Sequence, residues 1–193
     1  YGTLGIGHTN VQSGTQNITD KFSDPIKNVD WVEYGFLALS VQGDLYCWGK
    51  SPLGLFNTTN PITSPIILLQ NIKQFAAGSG QGIMALDTSG FLFVRGENTN
   101  DRFGIPDDTT TGFFQVNLLP YTETPVSFCL TNAFSLLAKN TRFYYAGTYS
   151  GSSSSSYANI EVYPTDLHRG SSLYPGNLLD YHNFTVTAYC PAH

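Results

Sequence analysis

The sequence predicts an all-β fold made of repeated units, and two series of landmarks with a common period predict it. The first series is a β-hairpin pattern, in which an apolar run, a short turn and a second apolar run end at a glycine. It begins at Leu39, Leu86 and Leu137 and ends at Gly49, Gly96 and Gly147. The second series is a glycine between two large apolar residues, at Gly5, Gly54 and Gly104. Both series repeat about every 50 residues, a period typical of a β-propeller or a similar repeat architecture.

The composition agrees with this fold class. The chain has 193 residues, enough for one sizeable domain with a full core. Charged residues make up 12% of the chain and aromatic residues 14%, while Thr, Ser, Asn, Gly and Tyr dominate the remainder. Such a composition favours strands and polar turns over helices.

Charge and hydropathy argue against several classes of protein. The formal net charge is −5, and Lys and Arg form no cluster, so we expect neither nucleic acid nor an anionic membrane surface as a partner. No apolar run approaches the roughly 18–20 residues of a membrane-spanning helix, and no signal peptide is visible. The chain begins at Tyr1, inside a repeat unit. We therefore expect a processed or excised piece of a longer protein, with any targeting segment upstream.

The cysteines favour a buried role. Cys47, Cys129 and Cys190 are too few for a disulfide-rich scaffold and lack the close pairs of a zinc site. Cys47 and Cys129 lie in predicted strands, which favours buried small apolar side chains. A disulfide that involves Cys190 is the alternative.

The landmarks divide residues 1–147 into three units. These are about 1–49, 50–96 and 97–147. In the second unit, Pro61 and Pro65 mark a loop and keep it out of a central strand. The corresponding loop of the third unit, 107–111, consists of two aspartates and three threonines.

The remainder of the chain departs from the repeat. Residues 148–160 contain a run of five serines and are predicted to form a solvated, serine-rich loop. Residues 161–193 are predicted to be a degenerate fourth blade or closing strands, because 184–189 alternates as a strand does.

Several pieces of the first 147 residues resemble the repeat of the regulator of chromosome condensation (RCC1) family. In that family an alanine–glycine strand is followed by an alanine–leucine strand and an acidic–glycine turn. A strand that ends in tryptophan–glycine and a leucine–glycine block complete the unit. The matching pieces here are 2–7, 38–49, 75–78 and 85–90.

The resemblance implies a β-propeller with four-stranded antiparallel blades, normally about seven of them. About three to four blades would be present in this chain. The histidine that usually follows the alanine–glycine strand is absent, and Tyr34, Gln81 and Asn132 occupy that region. Arg95 replaces the tryptophan of the second hairpin, and Ala146 replaces that of the third. The resemblance therefore implies the fold and not a family-specific activity.

No catalytic constellation is found in the sequence. The histidines are scattered, at His8, His168, His182 and His193, and no pair has the spacing of metal ligands. No serine lies in a nucleophile elbow, and the glycine-rich segment 78–82 precedes no helix that could hold a phosphate. Asp107 and Asp108 could touch a cation, but a solvated loop is the preferred interpretation. We therefore expect no catalytic residue, cofactor or metal, and a protein that is not an enzyme.

Three N-x-S/T sequences are the strongest chemical signal. Their acceptor residues are Asn17, Asn57 and Asn183. Asn17 and Asn57 follow the glycine of the second series in corresponding loops, and attached sugar would help to solvate a surface with few charges. We expect N-linked glycans at all three sites and O-linked glycans on the threonine-rich loops and the serine tract. This predicts a secreted or cell-surface protein.

These observations lead to a main functional hypothesis and two alternatives. The main hypothesis is a non-catalytic extracellular glycoprotein that binds other protein chains or copies of itself, as a module of a cell coat or a filament. One alternative is an intracellular RCC1-type regulator that binds a small GTPase or chromatin, against which the acidic charge and the absent histidines argue. The other alternative, an enzyme that uses the central channel of a propeller, lacks catalytic residues in the sequence.

Overall fold

A computed structural model describes residues 2–32, 34–50, 56, 58, 60–78, 82–105, 109–116, 125, 127–131, 134–139, 142–149 and 152–160. Within these ranges the chain forms strands and two single turns of 3-10 helix, Thr19–Lys21 and Thr99–Asp101. The strands are β1 (Ile26–Val32), β2 (Tyr34–Ser40), β3 (Leu45–Lys50), β4 (Ile62–Leu69), β5 (Ile72–Gly78), β6 (Gly82–Asp87), β7 (Leu92–Glu97), β8 (Thr109–Gln115), β9 (Ser127–Leu130), β10 (Phe134–Lys139), β11 (Arg142–Tyr149) and β12 (Ser152–Ile160).

The strands form three antiparallel sheets of four strands each. The first sheet has the order β1-β2-β3-β4, the second β5-β6-β7-β8 and the third β9-β10-β11-β12. Neighbours in each sheet are consecutive in sequence, so every sheet is a meander whose first and last strands are its edges. The predicted all-β fold with four-stranded antiparallel blades is confirmed.

The chain divides into two compact units. The first unit consists of Tyr1–Glu97 and Thr109–Val116 and contains the first and second sheets. The second unit consists of Asn98–Asp108 and Asn117–His193 and contains the third sheet.

The core of the first unit lies between its two sheets. The contributing side chains alternate along the strands, so that one face of the first sheet meets one face of the second. The buried members are Val32, Leu37, Leu39, Leu45, Cys47, Phe56, Ile72, Phe75, Ile83 and Ala85. Since these side chains are 0–4% exposed, apolar burial between the sheets is the main source of stability in this unit.

The predicted hairpins are confirmed as β2–β3, β6–β7 and β10–β11. Leu39 pairs with Leu45, and Leu86 pairs with Leu92. Each hairpin ends at its glycine of the first series, where φ is +96° for Gly49, +112° for Gly96 and +95° for Gly147. The register to the fourth strand shifts at each of these glycines. A positive-φ glycine at a bulge therefore recurs in all three sheets.

The third hairpin is one residue tighter than the other two. Lys139 pairs with Arg142 across its turn, and Leu137 pairs with Tyr144. The equivalent of Leu39 is consequently Ala138, which pairs with Phe143. The sequence spacing aligned Leu137 with Leu39, and this alignment is wrong by one residue because the third turn is shorter.

The sheets are offset from the units predicted along the sequence. Each sheet takes its first three strands from one predicted unit and its fourth strand from the chain that follows. The first sheet, for example, takes β1 to β3 from the predicted unit 1–49, apart from the final residue of β3, and takes β4 from 50–96. The fourth blade predicted for 161–193 lies outside the described residues.

The predicted serine-rich loop at 148–160 is wrong. Residues 148 and 149 continue β11, and Ser152–Ile160 forms β12, which pairs with β11 at the edge of the third sheet. The reason is tertiary, because the backbone pairing that completes the sheet outweighs the weak β-propensity of serine.

Two predicted loops are also partly strand. Pro65 lies within β4, which is an edge strand, and the register of β4 with β3 shifts nearby, between Cys47 and Gly49. Both features accommodate a residue without an N–H group. Residues 109–111 of the predicted loop 107–111 belong to β8, where Thr110 pairs with Gly96.

Candidate binding surfaces

Residues 2–7, here called the glycine block because they contain Gly5 of the second series, are bound to the first sheet by contacts with Trp48. Gly5 N–H donates a hydrogen bond of 3.0 Å to Gly2 O, and the indole Nε1 of Trp48 donates one of 3.0 Å to Thr3 O. Gly5 has a φ of +69°, and a Cβ there would lie 3.1 Å from the Trp48 ring. Glycine is needed where the chain crosses the indole so closely. The tryptophan at the end of β3 thus ties the N-terminal segment to the sheet.

The second compact unit, which contains the third sheet, has equivalent hydrogen bonds made by different side chains. Gly104 N–H donates to Asp101 O over 2.9 Å, and Ser135 Oγ donates to Arg102 O over 2.5 Å. Arg102 stands two residues before Gly104, as Thr3 stands two residues before Gly5. In both compact units, the backbone carbonyl two residues before the glycine therefore accepts a hydrogen bond from a side chain of the sheet that follows.

One face of the first sheet, here called the front face, is apolar and partly covered by the N-terminal segment. It carries Val29, Trp31, Phe36, Ala38, Tyr46 and Trp48. Phe36 stacks on Trp48 with 5.5 Å between ring centroids, and Phe22 meets Trp48 edge-on at 5.8 Å. The hydroxyl groups of Tyr46 and Ser23 are 2.6 Å apart.

A groove of about 800 Å³ lies between the N-terminal segment and the front face. Its walls are Thr3, Ile18, Thr19, Phe22, Ser23, Asp24, Pro25, Ile26, Val29, Phe36 and Trp48. Most of these side chains are apolar or aromatic, and the others supply hydroxyl groups and one carboxylate. Such a lining suits an apolar or aromatic group more than an ion.

Part of the front face is open to solvent. Val29 is 55% exposed and Trp31 is 43% exposed, beside the half-buried Phe36. The second-sheet equivalent of Val29 is Phe75, since each pairs with an alanine of the next strand. Phe75 is only 4% exposed, because the first sheet packs on it. Val29, Trp31 and Phe36 form the front patch. Two of its counterparts in the second sheet, Phe75 and Ile83, are buried, and the counterpart of Trp31, Ala77, is half-buried.

The opposite face of the first sheet contains a thiol next to an arginine. Burial raises the pKa of Cys47 to about 12, and the charge of Arg95 opposes this rise. Arg95 is itself buried, which lowers its pKa, and its Cζ lies 5.5 Å from the centroid of the Phe113 ring. Cys47 therefore stays protonated at neutral pH and acts as a small apolar side chain.

The cysteine predictions are confirmed as far as the described residues reach. Cys47 and Cys129 are buried free cysteines. Cys190, the cysteine of the predicted alternative disulfide, lies outside the described residues.

Three connections meet at one end of the first unit and form the turn platform. They are the β2–β3 turn 41–44, the β4–β5 connection 70–71 with the start of β5, and the β6–β7 turn 88–91. Ile72 N–H donates to Gly43 O over 2.8 Å, and Thr88 N–H donates to Asn71 O over 2.8 Å. These backbone hydrogen bonds link the turns of the two sheets to one another.

The turn platform displays apolar side chains among polar ones. Val41 and Phe91 are each 50% exposed. On the same platform, Gln70 Nε2 donates to Asp44 Oδ1 over 3.1 Å. Exposed apolar side chains on hydrogen-bonded turns that also carry amide and carboxylate groups resemble the mixed surface of a protein interface.

The loop with Asn17 carries the one predicted glycosylation site that the structure describes. Asn17 is exposed, and its Oδ1 accepts hydrogen bonds from Thr19 N–H over 2.9 Å and from the Thr19 hydroxyl over 2.5 Å. This is an Asx turn between the two residues that define the acceptor sequence. The amide nitrogen that a glycan would join has no hydrogen-bond partner among the described residues. Asn57 and Asn183 lie outside the described residues.

The other candidate residues do not converge on a site in the described part of the chain. His8 is exposed in the N-terminal loop, while His168, His182, His193, Asp107 and Asp108 lie outside the described residues. The described residues contain no group of three or more His, Cys, Asp or Glu side chains that could hold a metal ion. They also contain no helix that is long and apolar enough to span a membrane.

Sequence reasoning missed the turn platform and the front patch. Both had a signal in the sequence. Val41 and Phe91 are large apolar residues next to the turn glycines Gly43 and Gly90 of the predicted hairpins, where polar residues are usual. Val29 and Trp31 alternate with polar residues in a short strand, which indicates one apolar face. The sequence could not show that no sheet of the described residues covers this face.

Solved structures with the same fold were found among known proteins. Human WBSCR16 matches 83% of this chain and 45% of its own, with a TM-score of 0.66 and 14% identity. Yeast RCC1 (Prp20), solved bound to Kap60, matches 74% of this chain and 39% of its own, with a TM-score of 0.64 and 15% identity. Prp20p from Saccharomyces cerevisiae, described with its binding to Gsp1p and histones, matches 71% and 38%, with a TM-score of 0.56 and 19% identity.

No family model and no curated protein matches the chain. The chain spans less than half the length of the solved chains that it resembles. At this level of identity the likeness concerns the fold alone, and it agrees with the bulged hairpins and four-stranded sheets described above. The fold of this chain is that of the RCC1-like β-propellers.

Proposed function

We propose that this chain is a non-catalytic protein-binding module that uses RCC1-like propeller sheets as a rigid support for its turns. The turn platform carries this proposal. Val41 and Phe91 are half exposed on hydrogen-bonded turns. Rigid turns lower the entropy lost on binding, and exposed apolar groups supply the binding energy.

The comparisons favour an RCC1-type regulator among the functions considered. Prp20p is described with binding to Gsp1p and histones, and it shares the fold of this chain. A small GTPase or chromatin protein is therefore the class of partner to test first. The net charge of −5 argues against direct contact with the DNA of chromatin, but it would not repel a basic partner such as a histone.

Binding measurements with purified Gsp1p and with histones test this function. We expect the wild-type chain to bind at least one of them, and Phe91→Ala to weaken binding about tenfold, the usual effect of truncating an aromatic side chain at the centre of an interface. Val11→Ala is the matched control, because Val11 is 98% exposed in the N-terminal loop, away from the platform turns. Absence of binding by the wild-type chain, or equal binding by Phe91→Ala, would contradict the proposal.

A second candidate function is an extracellular glycoprotein that serves in assembly. The exposed Asx turn at Asn17 favours it, since the acceptor amide is accessible and its threonine is in place. In this function the protein is secreted or on the cell surface, with N-linked glycans at Asn17, Asn57 and Asn183. Mass spectrometry of protein isolated from its native source tests it, and unmodified acceptor residues would exclude it.

A further inference from the structure

We infer that the outer edge of β4 is a self-association site, at which β4 of a second copy adds an antiparallel strand to the first sheet. The edge is distinct from the turn platform and the front patch, and the inference does not depend on either function proposed above. β3 pairs with the inner side of β4, β5 belongs to the second sheet, and no strand of the described residues pairs with the outer side. A strand in this position presents backbone N–H and C=O groups to any strand that approaches.

The fourth strand of each sheet lacks the charges that usually protect an edge. Edge strands of native proteins often carry charged side chains, lysine above all, which prevent pairing with another chain. β4, β8 and β12 contain no charged residue, although 12% of the chain is charged. In contrast, the opposite edge of the first sheet, β1, carries Lys27 and Asp30. The neutral stretch around β4 is long, because no charged residue occurs between Lys50 and Lys73.

The part of this edge that can pair is 66–69. Thr63 O already accepts a hydrogen bond of 2.7 Å from Gly7 N–H, so the N-terminal segment contacts the beginning of the strand. Pro65, which follows shortly after, has no N–H group to donate. The next four residues are two isoleucines and two leucines. A short apolar strand without charge or proline is the kind that pairs most readily with a copy of itself.

The exposure of Ile66 arises at the edge and not from a missing neighbouring sheet. Ile66 pairs with Cys47, so both side chains lie on the face of the first sheet that packs on the second sheet. Cys47 is 0% exposed there, whereas Ile66 on the edge strand is 46% exposed. A strand added to β4 would extend this face and place apolar side chains of its own beside Ile66.

A second copy is the occupant because it supplies a strand of the required kind that is already formed. The partner must be extended, apolar and uncharged, and 66–69 of another copy meets each requirement. A flexible peptide would lose backbone entropy at every residue that it orders, whereas β4 is ordered before it binds. Antiparallel pairing of two identical edges also produces a two-fold interface that is complete with two copies. Backbone hydrogen bonds would join the two first sheets, as in other cases of β-strand addition.

Light scattering or sedimentation of the full chain over a concentration series tests the inference. We expect the wild-type mass to rise from 21.1 kDa towards twice that value. Ile66→Lys should raise the dissociation constant at least about tenfold, because the two-fold pairing brings the new charges of both copies close together. Val11→Lys makes the same kind of substitution at a residue that is 98% exposed in the N-terminal loop, and it should leave the dissociation constant unchanged.

Hydrogen exchange of the wild-type chain is a second readout that needs no variant. The amides of 66–69 should exchange more slowly as the dimer forms, whereas those of β1, at the opposite edge of the sheet, should not change. A wild-type chain that stays monomeric at every concentration would overturn the inference, even if a synthetic peptide with the sequence of 62–70 slowed exchange at this edge. A dimer that leaves exchange at 66–69 unchanged, or that Ile66→Lys does not weaken, would overturn it as well.

Discussion

Gly49 shows at the scale of one residue why the hairpin ends in glycine. Its φ is +96°, and a Cβ there would lie 2.5 Å from Tyr34 O and 2.7 Å from Gly35 Cα. Both atoms belong to the backbone of the neighbouring strand and cannot move without opening the pair. We expect Gly49→Ala to lower the free energy of unfolding by about 2–4 kcal/mol, measured by urea denaturation.

Gly14→Ala is the control that separates the clash from the backbone strain. Gly14 also has a positive φ, +79°, but a Cβ there would meet nothing within 4 Å. Its substitution should cost no more than about 1–2 kcal/mol, the strain of the left-handed conformation. Equal losses for the two variants would show that the contact with β2 is unimportant.

Asp30 links the two sheets of the first unit through its carboxylate. Oδ1 accepts a hydrogen bond from Trp31 N–H over 2.8 Å, and Oδ2 accepts one from Ala77 N–H over 3.2 Å. Burial raises the pKa of this carboxyl above its ordinary value of 3.8, although the two hydrogen bonds lower it. The folded state therefore binds the proton more tightly than the unfolded state does.

The raised pKa fixes the sign of the pH dependence. The contribution of Asp30 to stability is largest below its ordinary pKa and decreases as the pH rises through the raised value. The difference in unfolding free energy between the wild type and Asp30→Ala should accordingly decrease from strongly acidic pH towards neutrality. Urea denaturation at a series of pH values measures it. A difference that increases with pH would mean that the hydrogen bonds outweigh burial.

At the scale of the elements, the hairpins were predictable because their pattern is local. An apolar run, a turn and a run that ends in glycine determine β2–β3 and β6–β7 without help from the remainder of the chain. The outer strands β8 and β12 were not predictable in full, because serine and threonine prefer strands only where a partner strand is present. The shorter third turn was missed for a related reason, since spacing alone does not count the residues in a turn.

The candidate sites also differ in whether they depend on local sequence or on tertiary packing. The acceptor sequence at Asn17 is a local motif and was visible in the sequence, whereas the front patch depends on which sheet faces have neighbours. The turn platform depends on hydrogen bonds between residues of two different sheets, such as Thr88 to Asn71. Only the structure brings these residues together.

The N-terminal segment offers a prediction for one element. Trp48 Nε1 donates a hydrogen bond to Thr3 O, and the indole packs edge-on against Phe22. Trp48→Phe removes the hydrogen bond and should lower the free energy of unfolding by about 1 kcal/mol. It should also speed tryptic cleavage at Lys21, which is on this segment. Trp31→Phe is the control, since Trp31 lies on the same face outside the segment. Equal cleavage rates for the two variants would contradict the proposal that Trp48 holds the N-terminal segment on the sheet.

At the scale of the whole molecule, the chain uses one structural device three times. A four-stranded meander recurs in all three sheets. Its third strand contains a positive-φ glycine, at which the register with the fourth strand shifts. The side chain at the tryptophan position varies among Trp48, Arg95 and Ala146, while the backbone at the neighbouring glycine does not. The fold therefore depends on backbone geometry, and the side chains on the sheet faces and turns are free to serve different binding functions.

The recurrence of the bulged hairpin is tested most directly by cross-strand nuclear Overhauser effects in the full chain. We predict contacts between the backbones of Leu39 and Leu45, of Leu86 and Leu92, and, with the tighter turn, of Leu137 and Tyr144. A contact between Leu137 and Phe143 in place of Leu137 and Tyr144 would contradict the register of the third hairpin. The absence of all three contacts would contradict the repeated fold itself.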